Sequence, residues 1–159
     1  MDMEEELESL VLCEKEVINP ELFVFPKYHG PQTRTDIAKK NEKICIILMY
    51  CQRKGIDVFD KFSCTLVYRP TKERISALDI NREPNARPHV RISNNDKTKN
   101  CTSCHVHIYK KGENCRYAFA LTDRPDIFTK PDDIYTSFCE YLDFVRVNRK
   151  KLGIQRDAL

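Results

Sequence analysis

The strongest constraint on the fold is a pair of alternating segments, KFSCTLVYRP and RISALDIN, separated by a short turn. Phe62, Cys64, Leu66 and Tyr68 alternate with residues of a different character, which is the period of a strand with one buried face. Pro70 begins the turn PTKE, whose length suits a hairpin. The sequence therefore predicts two antiparallel strands that need a second layer on their apolar side.

Other segments extend this hairpin into a sheet with two helices. KICIILMYCQRKG favours a buried strand, although its periodicity also permits a helix, and CHVHIYKK with RYAFALT predicts a second hairpin. Residues 3–13 and 131–147 have helical spacing, and Thr129 with Asp132 resembles a capping box for the second helix. The prediction is a single α+β domain over residues 1–159. It has an antiparallel sheet of about five strands covered by an N-terminal and a C-terminal helix. Residues 81–103 form a long polar loop with PHVRIS as a short strand inside it, and 148–159 form a basic tail.

The composition of the chain indicates its cellular location and the chemical state of its cysteines. The chain has 159 residues, no apolar run long enough to span a membrane, and an acidic start that differs from a secretory signal. These features predict a cytoplasmic protein with no membrane partner. Its eight cysteines then indicate reduced thiols or a metal site, since disulfides are rare in that compartment.

Charge is unevenly distributed although the net charge is only +3. Acids concentrate in residues 1–16, whereas bases concentrate in 81–116 and in the tail. Clustered bases attract phosphate, so we expect nucleic acid as the main partner, with an acidic protein surface as the second possibility. The proposed nucleic-acid contacts are Arg91, Lys97, Lys99, Lys110 and Lys111.

The segment CTSCHVHIYKKG holds the most unusual side chains. On a strand, His105, His107 and Tyr109 share one face and Val106 and Ile108 the other. In the partner strand, Arg116, Ala118 and Ala120 are expected on the histidine side. The small alanines would leave a shallow polar trough.

Three interpretations of this trough remain open. It is a solvated sheet face, as many antiparallel sheets have. Alternatively, Cys101, Cys104 and Cys115 bind structural zinc with one of the histidines. In the third interpretation the trough carries phosphodiester chemistry without a cofactor, by acid–base catalysis and charge stabilisation. The proposed catalytic set is His89, Arg91, His105, His107, Tyr109 and Arg116.

The order of these motifs resembles a family of small uncharacterised bacterial and phage proteins. That family has an LDI strand, a Pro-His element and a PHLHIYREG-like strand followed by an aromatic-rich strand. The matching positions are Leu78, Asp79, Ile80, Pro88, His89, His105, His107, Tyr109, Gly112 and Tyr117. Cys104 stands where the family has proline. The resemblance implies a phage, mobile-element or host-defence setting.

Taken together, these observations predict a small protein directed at nucleic acid, RNA in particular. Its enzymatic version is a metal-independent ribonuclease toxin. The alternative is a non-enzymatic inhibitor, of the anti-CRISPR kind, that binds a host defence nuclease.

Overall fold

A computed structural model describes residues 1–26, 32–54, 61–81, 90–94, 97–101 and 104–152, with the backbone alone for 90–94 and 97–101. The helices of this part are α1 (Met3–Leu12) and α2 (Ile134–Phe144). Three short 3₁₀ segments cover Pro20–Leu22, Leu121–Asp123 and Arg149–Leu152. The strands are β1 (Lys15–Val17), β2 (Thr33–Lys39), β3 (Ile47–Lys54), β4 (Lys61–Tyr68), β5 (Glu73–Asn81), β6 (Val90–Asn94), β7 (Lys97–Cys101), β8 (His105–Ile108) and β9 (Ala118–Ala120).

The described strands form one large sheet and one small ribbon. The seven-stranded sheet has the order β1-β2-β3-β4-β5-β8-β9, and every neighbouring pair in it is antiparallel. β6 and β7 pair only with each other, and β6 lies close to β9. The chain therefore builds the sheet by consecutive hairpins, with the ribbon inserted between β5 and β8.

Both helices pack on one face of the sheet because each has an apolar stripe. In α1 the buried residues are Leu7, Leu10 and Val11, at helical spacing. The strands contribute every second residue to this core, among them Met49, Cys64, Leu66, Leu78 and Val106. Tyr141 of α2 is fully buried, and its hydroxyl donates to Ser76 Oγ of β5 at 2.8 Å. The opposite face of the sheet is not covered by either helix.

Local hydrogen bonds fix where the helices begin. Asp2 caps α1 by accepting from the Glu5 N–H, and Glu5 reaches back to the Asp2 N–H in a capping box. Asp133 caps α2 by accepting from the Thr136 N–H at 3.0 Å. The predicted capping pair of Thr129 and Asp132 is wrong, because the helix is capped by Asp133, four residues after Thr129. Thr129 instead donates to the carboxylate of Glu140.

A buried lysine joins the ends of the two helices. Lys15 is 1% exposed, and its Nζ donates to the carbonyl oxygens of Val11, Cys13 and Val145 at 2.7–2.8 Å. Those oxygens lie at the C-terminal ends of α1 and α2, where the helix dipole favours a cation. Burial lowers the pKa of Lys15 to about 8.

The sequence predicts this architecture in outline. The α+β class, the antiparallel sheet with two helices, and the strands at 47–54, 61–68 and 73–81 are confirmed. The apolar stripe of the closing helix, Ile134, Phe138, Tyr141, Leu142 and Val145, is buried as expected. The strand count was too low because β1 and β2 lie in segments interpreted as connections. Within 81–103, the expected short strand at PHVRIS is confirmed as β6, and the structure adds β7 as its partner.

Candidate functional site

The first candidate site is a cluster of Asp79, His105 and His107 on the face away from the helices. Asp79 of β5 is the direct cross-strand partner of His105 of β8, and His107 follows two residues later on the same face. Asp79 Oδ2 lies 3.4 Å from His105 Nε2 and 3.3 Å from His107 Nε2. The imidazole rings are nearly perpendicular, with centroids 4.8 Å apart. We call these residues the Asp–His–His cluster.

Small neighbours make room for the cluster. Ala77 pairs with His107 from β5, while Ala118 and Ala120 pair with His107 and His105 from β9. Ala77 and Ala118 are both fully buried. The predicted arrangement of histidines beside alanines is therefore confirmed.

A backbone carbonyl orients the ring of His107. His107 Nδ1 lies 3.1 Å from the carbonyl oxygen of Cys115, and a carbonyl can only accept a hydrogen bond. Nδ1 therefore carries a proton, and Nε2 is the ring nitrogen that faces Asp79. The Cys115 thiol is buried, and burial raises its pKa.

Burial and mutual contact shift the ionisation of the cluster. Burial lowers the pKa of His107, and the Asp79 carboxylate opposes that shift without reversing it. Burial raises the pKa of Asp79, but its hydrogen bonds with His105 and His107 outweigh this effect and hold it well below its usual range. The pKa values of Asp79 and His107 therefore both lie below their ordinary values.

The expectation that the histidines lie on an exposed surface is wrong. His105 is 0% exposed and His107 5% exposed, while the Asp79 side chain keeps 26% exposure. Strand alternation predicts which residues share a face but does not say whether that face is covered. β8 is an interior strand between β5 and β9, and Asp79 supplies the polar partner that allows imidazoles to be buried there.

Tyr109 does not belong to the histidine face. β8 ends at Ile108, and Tyr109 is buried in the core that α1 covers. Burial, followed by the charges of Glu4 and Glu73, raises the pKa of its phenol. The prediction that Tyr109 lines the trough is therefore wrong. Arg116 is exposed in the turn between β8 and β9.

Two predicted phosphate contacts already have partners. Lys111 forms ion pairs with Asp2 at 2.7 Å and Glu5 at 2.8 Å, so the acidic α1 neutralises it. Lys110 lies over the Tyr117 ring, with Nζ 3.8 Å from the centroid.

Several predicted residues lie outside the described part of the chain. His89 is not described. The side chains of Arg91, Lys97, Lys99 and Cys101 are not described either, although their backbones belong to β6 and β7. The remaining predicted zinc ligands, Cys104 and Cys115, are half-buried and buried. Neither belongs to the Asp–His–His cluster, whose three ligand atoms lie within 4.8 Å of one another.

The second candidate site is a basic surface beside the cluster. A cavity of about 250 Å³ lies at the end of β3, β4 and β5 and is lined by Gln52, Lys54, Lys61, Phe62, Ser63, Asp79, Ile80 and Asn81. Lys54 and Lys61 are direct cross-strand partners. Along the same face, half-buried Tyr50 pairs with exposed Arg34 of β2. We call Arg34, Tyr50, Lys54 and Lys61 the basic sheet surface.

Asp79 and the basic sheet surface have no role in the sequence-based prediction. The signal in the sequence that could have pointed to Asp79 is its place in the LDI motif. Tyr50, Lys54 and Lys61 gave no local signal. They come together only because β3 pairs with β4 in one particular register.

The fold and the site define an α+β protein with an antiparallel sheet that is covered on one face and carries a histidine–carboxylate cluster on the other. The chain belongs to the family of unknown function DUF6978, whose model matches residues 3–147. This agrees with the resemblance to an uncharacterised family. No curated protein and no solved structure matches the chain. Within the described residues, no helix has the length and apolar character needed to cross a membrane.

Proposed function

We propose that this protein binds single-stranded RNA through the basic sheet surface. One observation carries the proposal: Lys54 and Lys61 face each other directly across β3 and β4, at the rim of a polar cavity. Two ammonium groups at opposed positions on one face provide adjacent positive charges that can contact the phosphates of a nucleic-acid strand.

The rest of the surface suits a nucleic-acid strand. Tyr50 lies on the same face as Lys54, four residues earlier in β3. Arg34 is its direct cross-strand partner on β2. An aromatic ring on a sheet face provides a stacking platform for an unpaired base, and surrounding cations hold the backbone. Among the described residues that line the cavity, Asp79 is the one acid, and its carboxylate is engaged by the two imidazoles.

The proposal concerns binding rather than turnover. Metal-independent acid–base catalysis needs an imidazole that reaches the substrate, and both imidazoles of the cluster are buried. The phage, mobile-element or host-defence setting rests on the resemblance alone. A small RNA-binding protein would be consistent with such a setting.

The test is RNA binding as a function of salt. Fluorescence anisotropy with a labelled single-stranded RNA should show that the logarithm of the association constant falls linearly with the logarithm of the salt concentration. Lys54→Gln and Lys61→Gln should each reduce that slope by about 0.7, the value expected for one lost phosphate contact on a single strand. Tyr50→Leu should weaken binding by about 1–3 kcal/mol and leave the slope unchanged, since stacking is not ionic.

Lys40→Gln is the matched control, because Lys40 pairs with Glu14 at 3.0 Å away from this surface. The variant should bind RNA like the wild type. The proposal is wrong if RNA binding is absent, or if the Lys54 and Lys40 variants behave alike. A tight, salt-insensitive complex with a protein and no RNA binding would favour the inhibitor alternative.

A further inference from the structure

We propose that Asp79, His105 and His107 form a site for a divalent transition-metal ion, with Zn²⁺ as the ion that fits best. This inference is independent of RNA binding. Three donors of the types that such ions prefer, two imidazole nitrogens and one carboxylate oxygen, lie within 4.8 Å of one another. Two histidines and one carboxylate are also a common ligand set of zinc sites that keep an open position.

The two distances from Asp79 to the histidines match those expected around a tetrahedral ion. Two ligands bonded to zinc at 2.0–2.1 Å with a tetrahedral angle lie about 3.3–3.4 Å apart. The distances from Asp79 Oδ2 to the two Nε2 atoms are 3.3 and 3.4 Å. A charge-assisted hydrogen bond between an imidazolium and a carboxylate is shorter, about 2.7–2.9 Å. An octahedral ion with the same bond lengths would need its adjacent ligands at about 2.8–3.0 Å.

The surroundings of His107 support the same conclusion. The Cys115 carbonyl accepts from Nδ1, which leaves Nε2 as the ring nitrogen that faces the Asp79 carboxylate oxygen and can bind a metal ion. Metal-binding histidines commonly donate their other N–H to a backbone carbonyl in this way.

The sheet holds the donors rigidly. Asp79 and His105 are register partners on adjacent strands, and the strands themselves lie inside the sheet. Asp79 is also the ligand that lines the cavity, so an ion and its fourth ligand would meet solvent on that side. A rigid set of three donors with one accessible side distinguishes this cluster from an incidental surface contact.

The experiment uses the full chain, freed of metal by a chelator and kept reduced. Titration with Zn²⁺ in a calorimeter should show about one equivalent bound per chain, as expected for a single site. Co²⁺ should give the intense visible absorption of a tetrahedral site without a thiolate-to-metal charge-transfer band. Asp79→Asn should weaken Zn²⁺ binding by at least about 100-fold, since even the loss of a group beyond the ligands costs 10–100-fold. Asp126→Asn is the matched control, since that carboxylate pairs with Arg124 at 2.9 Å elsewhere on the surface.

The outcomes separate the metal site from its alternatives. No binding, or equal binding by wild type and Asp79→Asn, would overturn the proposal and leave an imidazolium–carboxylate pair. A charge-transfer band would overturn it in favour of cysteine ligands. Should Asp79→Asn fail to fold, the ¹⁵N shifts of the wild-type imidazoles decide. Zn²⁺ must move the Nε2 signals of His105 and His107, and unchanged signals would refute the site.

Discussion

Replacing Lys15 by methionine tests how the two helix ends are held together. Methionine keeps most of the aliphatic stem and removes Nζ, which leaves the carbonyls of Val11, Cys13 and Val145 without their donor. A net hydrogen bond contributes about 1 kcal/mol. Three of them give an expected loss of about 3 kcal/mol in the free energy of unfolding at pH 7.

The same residue makes that loss depend on pH. The pKa of Lys15 is about 8 in the folded protein, below its ordinary value of 10.5. Between these values the unfolded chain binds the proton that the folded chain has released, so the stability of the wild type rises with pH. The contribution is fully present above 10.5 and is lost as pH falls through 8. From pH 7 to pH 9.5 the gain is about 2 kcal/mol.

Urea unfolding of wild type and Lys15→Met at both pH values measures this effect. The stability difference should grow from about 3 kcal/mol at pH 7 to about 5 kcal/mol at pH 9.5. Other titrating groups cancel because both proteins contain them. Lys40→Met, at an exposed lysine, should change stability little at either pH. A gap that stays constant with pH, or a stable Lys15→Met, would refute the reasoning.

Two further predictions concern α2 and its contact with the sheet. Asp133→Ala should lower the free energy of unfolding by about 1 kcal/mol because it removes the cap on Thr136, whereas Asp132→Ala should have little effect; equal urea midpoints for the two variants would contradict this cap assignment. Tyr141→Phe should cost about 1 kcal/mol, because Ser76 Oγ accepts from the phenol while donating to the His107 carbonyl. Unfolding measurements that give no loss for this variant would show that the buried chain of hydroxyls contributes nothing.

Local pattern was sufficient for the elements whose periodicity is strong. The strand at 61–68 and the stripe of the closing helix follow directly from side chains that alternate or recur at helical spacing. β2 was missed because TRTDIAK has few apolar residues and follows a Gly-Pro turn signal. Its pairing with β3 comes from tertiary structure, which overrides weak local preference.

The shared face of the two histidines can be predicted from the sequence, but their burial beside Asp79 cannot. That His105 and His107 project together follows from the pleat, and the structure agrees. Their burial depends on Asp79, which is far away in sequence and reaches them only through the β5–β8 register. No spacing rule within one strand contains that information. The pairing of Lys54 with Lys61 likewise depends on the β3–β4 register and cannot be predicted from either strand alone.

The pairing of Lys15 with Val147 has a consequence for how the protein folds. Lys15 of β1 forms a bridge with Val147, and the Asn148 N–H donates to the Lys15 carbonyl. One edge of β1 is therefore paired with a segment more than a hundred positions later in the chain. Contacts this distant are slow to form because a long loop must close first. During synthesis on the ribosome, β1 can pair with β2 early, but its contacts with Val147 and Asn148 form only after residue 148 has left the exit tunnel. The contact between β1 and the end of the chain should therefore form late in folding.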